Sequence, residues 1–133
     1  MSSLFDSLEV GRLTLPNRVV MAPLTRSRAG RDGIPTALHE TYYTQRASFG
    51  LIVTEGVFPT VTRRAFPGQT GIDTPEQMAG WRGVADAVHE AGGLLALQIL
   101  HAGRYAYHPK AVSASATQSP ISPFPARELT DEQ

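Results

Sequence analysis

Hydrophobic and polar positions change period along this chain in a way that separates strands from helices. Leu8, Val10, Leu13 and Leu15 alternate with polar neighbours on either side of Gly11-Arg12, which predicts a tight hairpin with glycine supplying a positive φ. Arg18 to Met21 reads as a short apolar strand that ends by Pro23, because proline has no N–H for a ladder. From Pro35-Thr36 to about Ser48 the spacing becomes helical, with Leu38, Tyr42, Gln45 and Phe49 as its stripe. Leu51-Ile52-Val53-Thr54-Glu55 is the apolar, β-branched run of a buried strand, closed by Gly56. A long loop, Val57 to Asp73, leads to the best-marked element. There Thr74 can cap a helix, Pro75 suits its first position and Gln77 completes a capping box. Met78, Trp81, Val84, Ala85 and Val88 form its apolar face, and Gly92 suits its end. Leu94 to Leu100 is a third strand, nearly all apolar, as expected when both faces are covered. His101 to Arg127 is a Pro/Ser/Ala-rich loop.

Strands alternating with helices in this way predict an α/β fold with a parallel sheet built from right-handed βαβ units. Leu129-Thr130-Asp131-Glu132-Gln133 carries an N-cap Thr, an acidic first turn and an N3 Gln, the signature of a further helix start. The expectation is therefore a segment of a larger unit, cut before its third helix. Twelve Lys+Arg balance twelve Asp+Glu without runs of one sign, so nothing marks a nucleic-acid surface. The absence of cysteine excludes a disulfide framework, a thiolate zinc site and an iron–sulfur cluster held by these 133 residues. No apolar run reaches the roughly 20 residues that span a bilayer, and Met1 to Asp6 has no leader pattern, so the expected location is cytoplasmic, off the membrane.

In parallel α/β folds, chemistry collects at the carboxyl ends of the strands. Three groups fall there: Ala22-Pro23-Leu24-Thr25-Arg26 after the first strand, Glu55-Gly56 at the end of the second, and Gln98 inside the third. Alternation places Gln98 on one face with Leu94, Ala96 and Leu100. An amide buried without partners costs roughly 1–3 kcal/mol. Gln98 either bonds to neighbouring backbone or contacts a ring that alternates C=O and N groups. Gly56 either ends a strand or lets a flat ligand approach a backbone without a Cβ. Thr25 is either a loop hydroxyl or a donor over the strand ends. His101 and Arg104 are either solvated or a positive edge for an anion. His39 and His89 fall on the helices and read as surface or half-buried positions. His101 and His108 have poor metal spacing, so no metal is expected. Nothing fixes a distance between Glu40 and Glu55 that would make them an acid/base pair. Phosphate-loop, dinucleotide and serine-hydrolase motifs are absent.

The run Leu15-Pro16-Asn17-Arg18-Val19-Val20-Met21-Ala22-Pro23-Leu24-Thr25-Arg26 closely resembles the opening of the old yellow enzyme family of FMN-dependent NADH:flavin oxidoreductases (ene-reductases). Tyr42 to Ala47, Leu51 to Gly56, Pro67-Gly68, Gly71-Ile72, Gln77 to Arg82, Ala87 to His89, Gly92-Gly93, Leu97-Gln98 and His101 to Arg104 carry the likeness along the whole chain. The resemblance implies the N-terminal portion of a TIM (β/α)8 barrel: a hairpin and three βα units, with FMN at the mouth and NADH or NADPH as reductant. It implies that Pro23, Leu24, Thr25, Gly56 and Gln98 touch the flavin, Thr25 tuning it and Gln98 meeting its pyrimidine part. The family's substrate-gripping His pair, Tyr proton donor and phosphate loops have no counterpart in these residues. Leu100 stands where many members have Trp two residues after the Gln. Leu100 to Tyr107, with Pro120 to Phe124, resembles the 2,4-dienoyl-CoA reductase branch, while the front half resembles ordinary ene-reductases. The implied substrate is an activated alkene, either a small enone or an acyl-CoA thioester. Such a segment is expected to need the rest of a barrel or self-association. The alternatives are a non-catalytic fragment that does not hold FMN, or another βαβ protein with a structural Gln98.

Overall fold

The hairpin forms as the alternation predicts: β1 (Leu8–Val10) pairs antiparallel with β2 (Leu13–Leu15), and Gly11 turns the chain at φ +60°. In this computed structural model, which describes residues 3–130, there follow β3 (Val20–Met21), α1 (Ala37–Thr44), β4 (Leu51–Val57), α2 (Pro75–Glu90) and β5 (Leu95–Ile99). The three strands form one parallel sheet in the order β3-β4-β5, with Val20 opposite Leu51 and Ile52 opposite Leu95. Each crossover is a helix, so β3-α1-β4 and β4-α2-β5 are two successive βαβ units. Asp131 to Gln133, which carry most of the predicted further helix start, lie outside the described residues.

α2 begins where its local chemistry says. Thr74 Oγ1 accepts from Gln77 N at 3.3 Å and Gln77 Oε1 accepts from Thr74 N at 3.2 Å, so the capping box is complete. Gln77 Nε2 also donates to Asp32 O at 2.6 Å, tying the loop after β3 to the helix. That tie turns Gln77 inward, and the buried face is Gln77, Trp81, Val84 and Val88; Met78, expected there, is 50% exposed. Thr74→Ala is expected to cost about 1 kcal/mol, because one first-turn N–H loses its acceptor; a lower urea midpoint with unchanged m-value checks it.

α1 is shorter than its periodicity predicts and buries another face. Leu38 is 62% exposed, whereas His39 and Tyr43 are buried; Tyr42 and Phe49 pack at the core's edge. After Thr44 the chain tightens into i→i+3 bonds, from Arg46 N to Tyr43 O and from Ala47 N to Thr44 O. The core, Met21, Tyr43, Ile52, Val57, Trp81, Val84 and Val88, lies between the sheet and the two helices. β5 is one of the two edge strands of this sheet among the described residues. It is not covered on both faces as its apolar run suggested: Leu95 and Leu97 are half-buried toward α2, while Ala96 and Ile99 are exposed. The predicted C-terminal loop contains a short parallel pair, β6 (Val112–Ser113) with β7 (Arg127–Glu128), over a small cluster of Ala102, Ala106, Ala111 and Ala126. Among the described residues, no helix is long and apolar enough to cross a membrane.

Candidate functional site

The carboxyl ends of β3, β4 and β5 point to one edge of the molecule, where an irregularity in β4 sets the geometry. Val53 pairs with Ala96, but the next pairing is Gly56 with Gln98, so β4 carries one extra residue. This bulge breaks the in-out alternation, and Thr54, Glu55, Gly56 and Val57 are all buried. The bulge is locked from both sides: Gln98 N donates to Thr54 Oγ1 at 3.1 Å, and Thr54 Oγ1 donates to Glu55 O at 3.0 Å.

Glu55 is the least expected group at this edge, 1% exposed. Its Oε2 accepts the main-chain N–H of Arg26 at 2.8 Å, and its main-chain N–H donates to the Tyr43 hydroxyl at 2.8 Å. Burial, more than the neighbouring Glu55 charge, pushes the Tyr43 phenol above its ordinary range. His39 Nε2 lies 3.1 Å from Glu55 Oε1, a close contact that is not a formed hydrogen bond. Thr36 N donates to His39 Nδ1 at 3.0 Å, which leaves the ring proton on Nε2, facing the carboxylate. His39 is therefore a buried partner rather than a surface residue, while Glu40 is exposed and does not join Glu55. The sequence signal was present as a carboxylate inside an apolar strand, but its partners lie 29 and 16 positions away.

Around this buried pair, the residues expected at the site form an open shelf. Ala22, Pro23 and Leu24 are exposed and Thr25 is half-buried, on the loop that Glu55 holds through Arg26. Gly56 is buried, and a Cβ there would stand 2.7 Å from Leu100 Cδ1 and 3.2 Å from Gln98 Oε1. The missing Cβ thus makes room for Leu100 whatever else binds. Gln98 is half-buried and held by its backbone. Among the described residues, neither the Gln98 amide nor the Thr25 hydroxyl makes a side-chain hydrogen bond. An apolar floor, a strand end without a Cβ and two uncommitted polar groups fit the chemistry of a flat heteroaromatic ring. A separate cavity of about 170 Å³ lies behind the loop, between Arg26, Arg28, Leu38, His39 and Tyr42. His101 and Arg104 are exposed; partial burial first, then the charge of Arg63, pushes the His101 imidazole below its ordinary range. Among the described residues, no group of His, Asp and Glu could hold a metal.

Residues 3–133 match the sequence model of the NADH:flavin oxidoreductase / NADH oxidase family. The chain belongs to this family. A relative from Epichloe festucae var. lolii, "Probable inactive reductase easA", is 41% identical over 142 residues, covering 99% of this chain and 37% of that protein. A "Probable flavin mononucleotide-dependent alkene reductase" of Leishmania infantum is 45% identical over 97 residues, covering 73% of this chain and 27% of its own length. The structure of morphinone reductase in complex with tetrahydroNAD superposes with a TM-score of 0.92 at 39% identity, covering 99% of this chain and 42% of that one. The chain spans about a third of the length of these curated relatives. The resemblance to old yellow enzymes holds, and the βαβ units seen here are part of the family's TIM barrel.

Proposed function

We propose that this chain is the N-terminal segment of an FMN-dependent oxidoreductase that reduces an activated alkene, an enone or a 2,4-dienoyl thioester, at the expense of NADH or NADPH. When bound, FMN would supply the hydride carrier between the nicotinamide and the alkene. The observation that carries the reading is the pair of uncommitted polar side chains, Thr25 and Gln98, on an apolar shelf at the carboxyl ends of a parallel sheet. Pro23, Leu24 and Gly56 would hold the ring, Gln98 would present both a donor and an acceptor to it, and the Thr25 hydroxyl would lower the energy of added negative charge. The open edge of β5 and its exposed Ile99 favour a chain that works joined to further barrel units or to another copy. A cytoplasmic location, where reduced nicotinamide is supplied, goes with this reading.

Thr25→Ala is the test. The hydroxyl makes no internal hydrogen bond, so stability is expected to stay within about 0.5 kcal/mol, while reduction and reoxidation rates of bound flavin change about ten-fold. Unchanged flavin rates would refute the role. A second reading, a barrel fragment that does not hold FMN, is favoured by the "inactive" relative that covers nearly the whole chain. Protein purified without colour that takes up no added FMN would decide for it.

A further inference from the structure

Glu55 is used by no part of the function proposed above, yet it is among the most completely buried polar groups in the molecule. A carboxylate in such a place is costly unless donors hold it, and a neutral apolar residue of similar size would be cheaper. Its donors are not those of the core. The donor bonded to it is the Arg26 main-chain N–H, next to Thr25, while His39 Nε2 faces its other oxygen at 3.1 Å without a formed hydrogen bond. The His39 ring is itself fixed by Thr36 N, at the N-cap of α1. A chain of polar contacts thus runs from the start of α1, through His39 and Glu55, to the peptide between Thr25 and Arg26.

The loop it reaches is under strain. Ser27 adopts φ +52°, a left-handed conformation that a non-glycine residue keeps only where its surroundings hold it. Gly68 backs it so closely that a Cβ there would stand 2.8 Å from Ser27 C and O, and Ala29 N donates to Gly68 O at 3.0 Å. On the other side of Ser27, Arg26 N donates to Glu55 Oε2 at 2.8 Å, which ties the main chain to the sheet, and the Arg28 guanidinium donates to Arg26 O at 3.1 Å within the loop. We infer that Glu55, oriented by His39, is a positioning residue that holds the Thr25-Arg26 strap over the strand ends and so sets where Thr25 meets the flavin. This rests on the flavin reading of the site.

Glu55→Gln separates positioning from bulk structure, because it keeps the shape and removes one acceptor. Its single carbonyl oxygen can serve Arg26 N–H or His39 Nε2–H, and its NH₂ then confronts the other donor. Amide hydrogen exchange on the wild-type chain and on Glu55→Gln is the direct readout. The Arg26 amide is expected to exchange about ten-fold faster in the variant, with Ile52 and Leu97 within about two-fold. Titration with FMN, followed by the visible spectrum, is expected to show weaker binding and an altered spectrum in the variant. Uniformly faster exchange, or an Arg26 amide that changes neither in Glu55→Gln nor in Glu55→Leu, which leaves no acceptor at all, overturns the positioning role. A freed Arg26 with wild-type FMN affinity and spectrum overturns its link to the flavin. A folded wild-type chain that takes up no FMN overturns the reading of the site and that link together, and the exchange arm then decides on the strap alone.

Discussion

Gly50→Ala is expected to unfold the chain or to cost it at least about 3 kcal/mol. A Cβ at this position would stand 2.0 Å from Asn17 O and 2.8 Å from Asn17 C, and both are backbone atoms with no rotamer to retreat into. Nor can Asn17 shift as a unit. Its Oδ1 accepts from Gly50 N at 2.9 Å and from Val19 N at 3.1 Å, and its Nδ2 donates to Ser48 O at 2.9 Å. Gly50 N also donates to Val19 O at 2.8 Å. Asn17 and Gly50 therefore clasp the entry of β3 to the entry of β4, and opening the clasp would undo the pairing that starts the parallel sheet. Urea unfolding followed by far-ultraviolet circular dichroism checks this; an alanine variant with a wild-type midpoint would mean that the two segments can move apart.

The second large effect falls on the site. Gly56→Val is expected to weaken FMN binding at least about a hundred-fold, close to 2.7 kcal/mol, while the chain keeps its helices and strands. A Cβ would already press on Leu100 Cδ1 at 2.7 Å and Leu100 Cβ at 2.9 Å, and valine adds two methyl groups beyond it. Leu100 or the Gln98 amide, 3.2 Å from the same point, must move, and both border the shelf. Unlike the clash at Gly50, this one meets side chains, so the fold can yield at an overpacking cost of about 1–3 kcal/mol. Adding Leu100→Ala should restore part of the lost affinity by making room. Binding equal to wild type in the single variant, measured by flavin fluorescence titration, would remove Gly56 from the site.

What could be read from the sequence was local. Thr74, Pro75 and Gln77 act within one helical turn, and Gly11 acts within one hairpin, so both features are visible in a few residues. That the three strands run parallel followed from strand and helix alternation. The buried face of α1 did not: hydrophobic periodicity chose Leu38, whereas the structure buries His39 because a carboxylate 16 positions away waits for it. Polar burial of that kind has no periodic signature. The bulge in β4 was hidden for a similar reason, since the hydrogen bond found at it, from Gln98 N to Thr54 Oγ1, joins residues 44 positions apart. At the site itself, Pro23, Leu24, Thr25, Gly56 and Gln98 were placed on one sheet edge by the rule that parallel strands converge there. Their resemblance to known flavin enzymes added a chemistry that spacing alone leaves open. The β6–β7 pair was missed because two residues a side carry no period.

Whether the strand-end shelf of this chain receives the flavin ring is decided by adding FMN to the purified, folded chain. Saturable quenching of flavin fluorescence and a structured, shifted visible band are expected at one FMN per chain, both lost in Gly56→Val that retains its circular dichroism. A folded wild-type chain that leaves the flavin spectrum unchanged up to about 1 mM FMN would contradict flavin binding at the shelf.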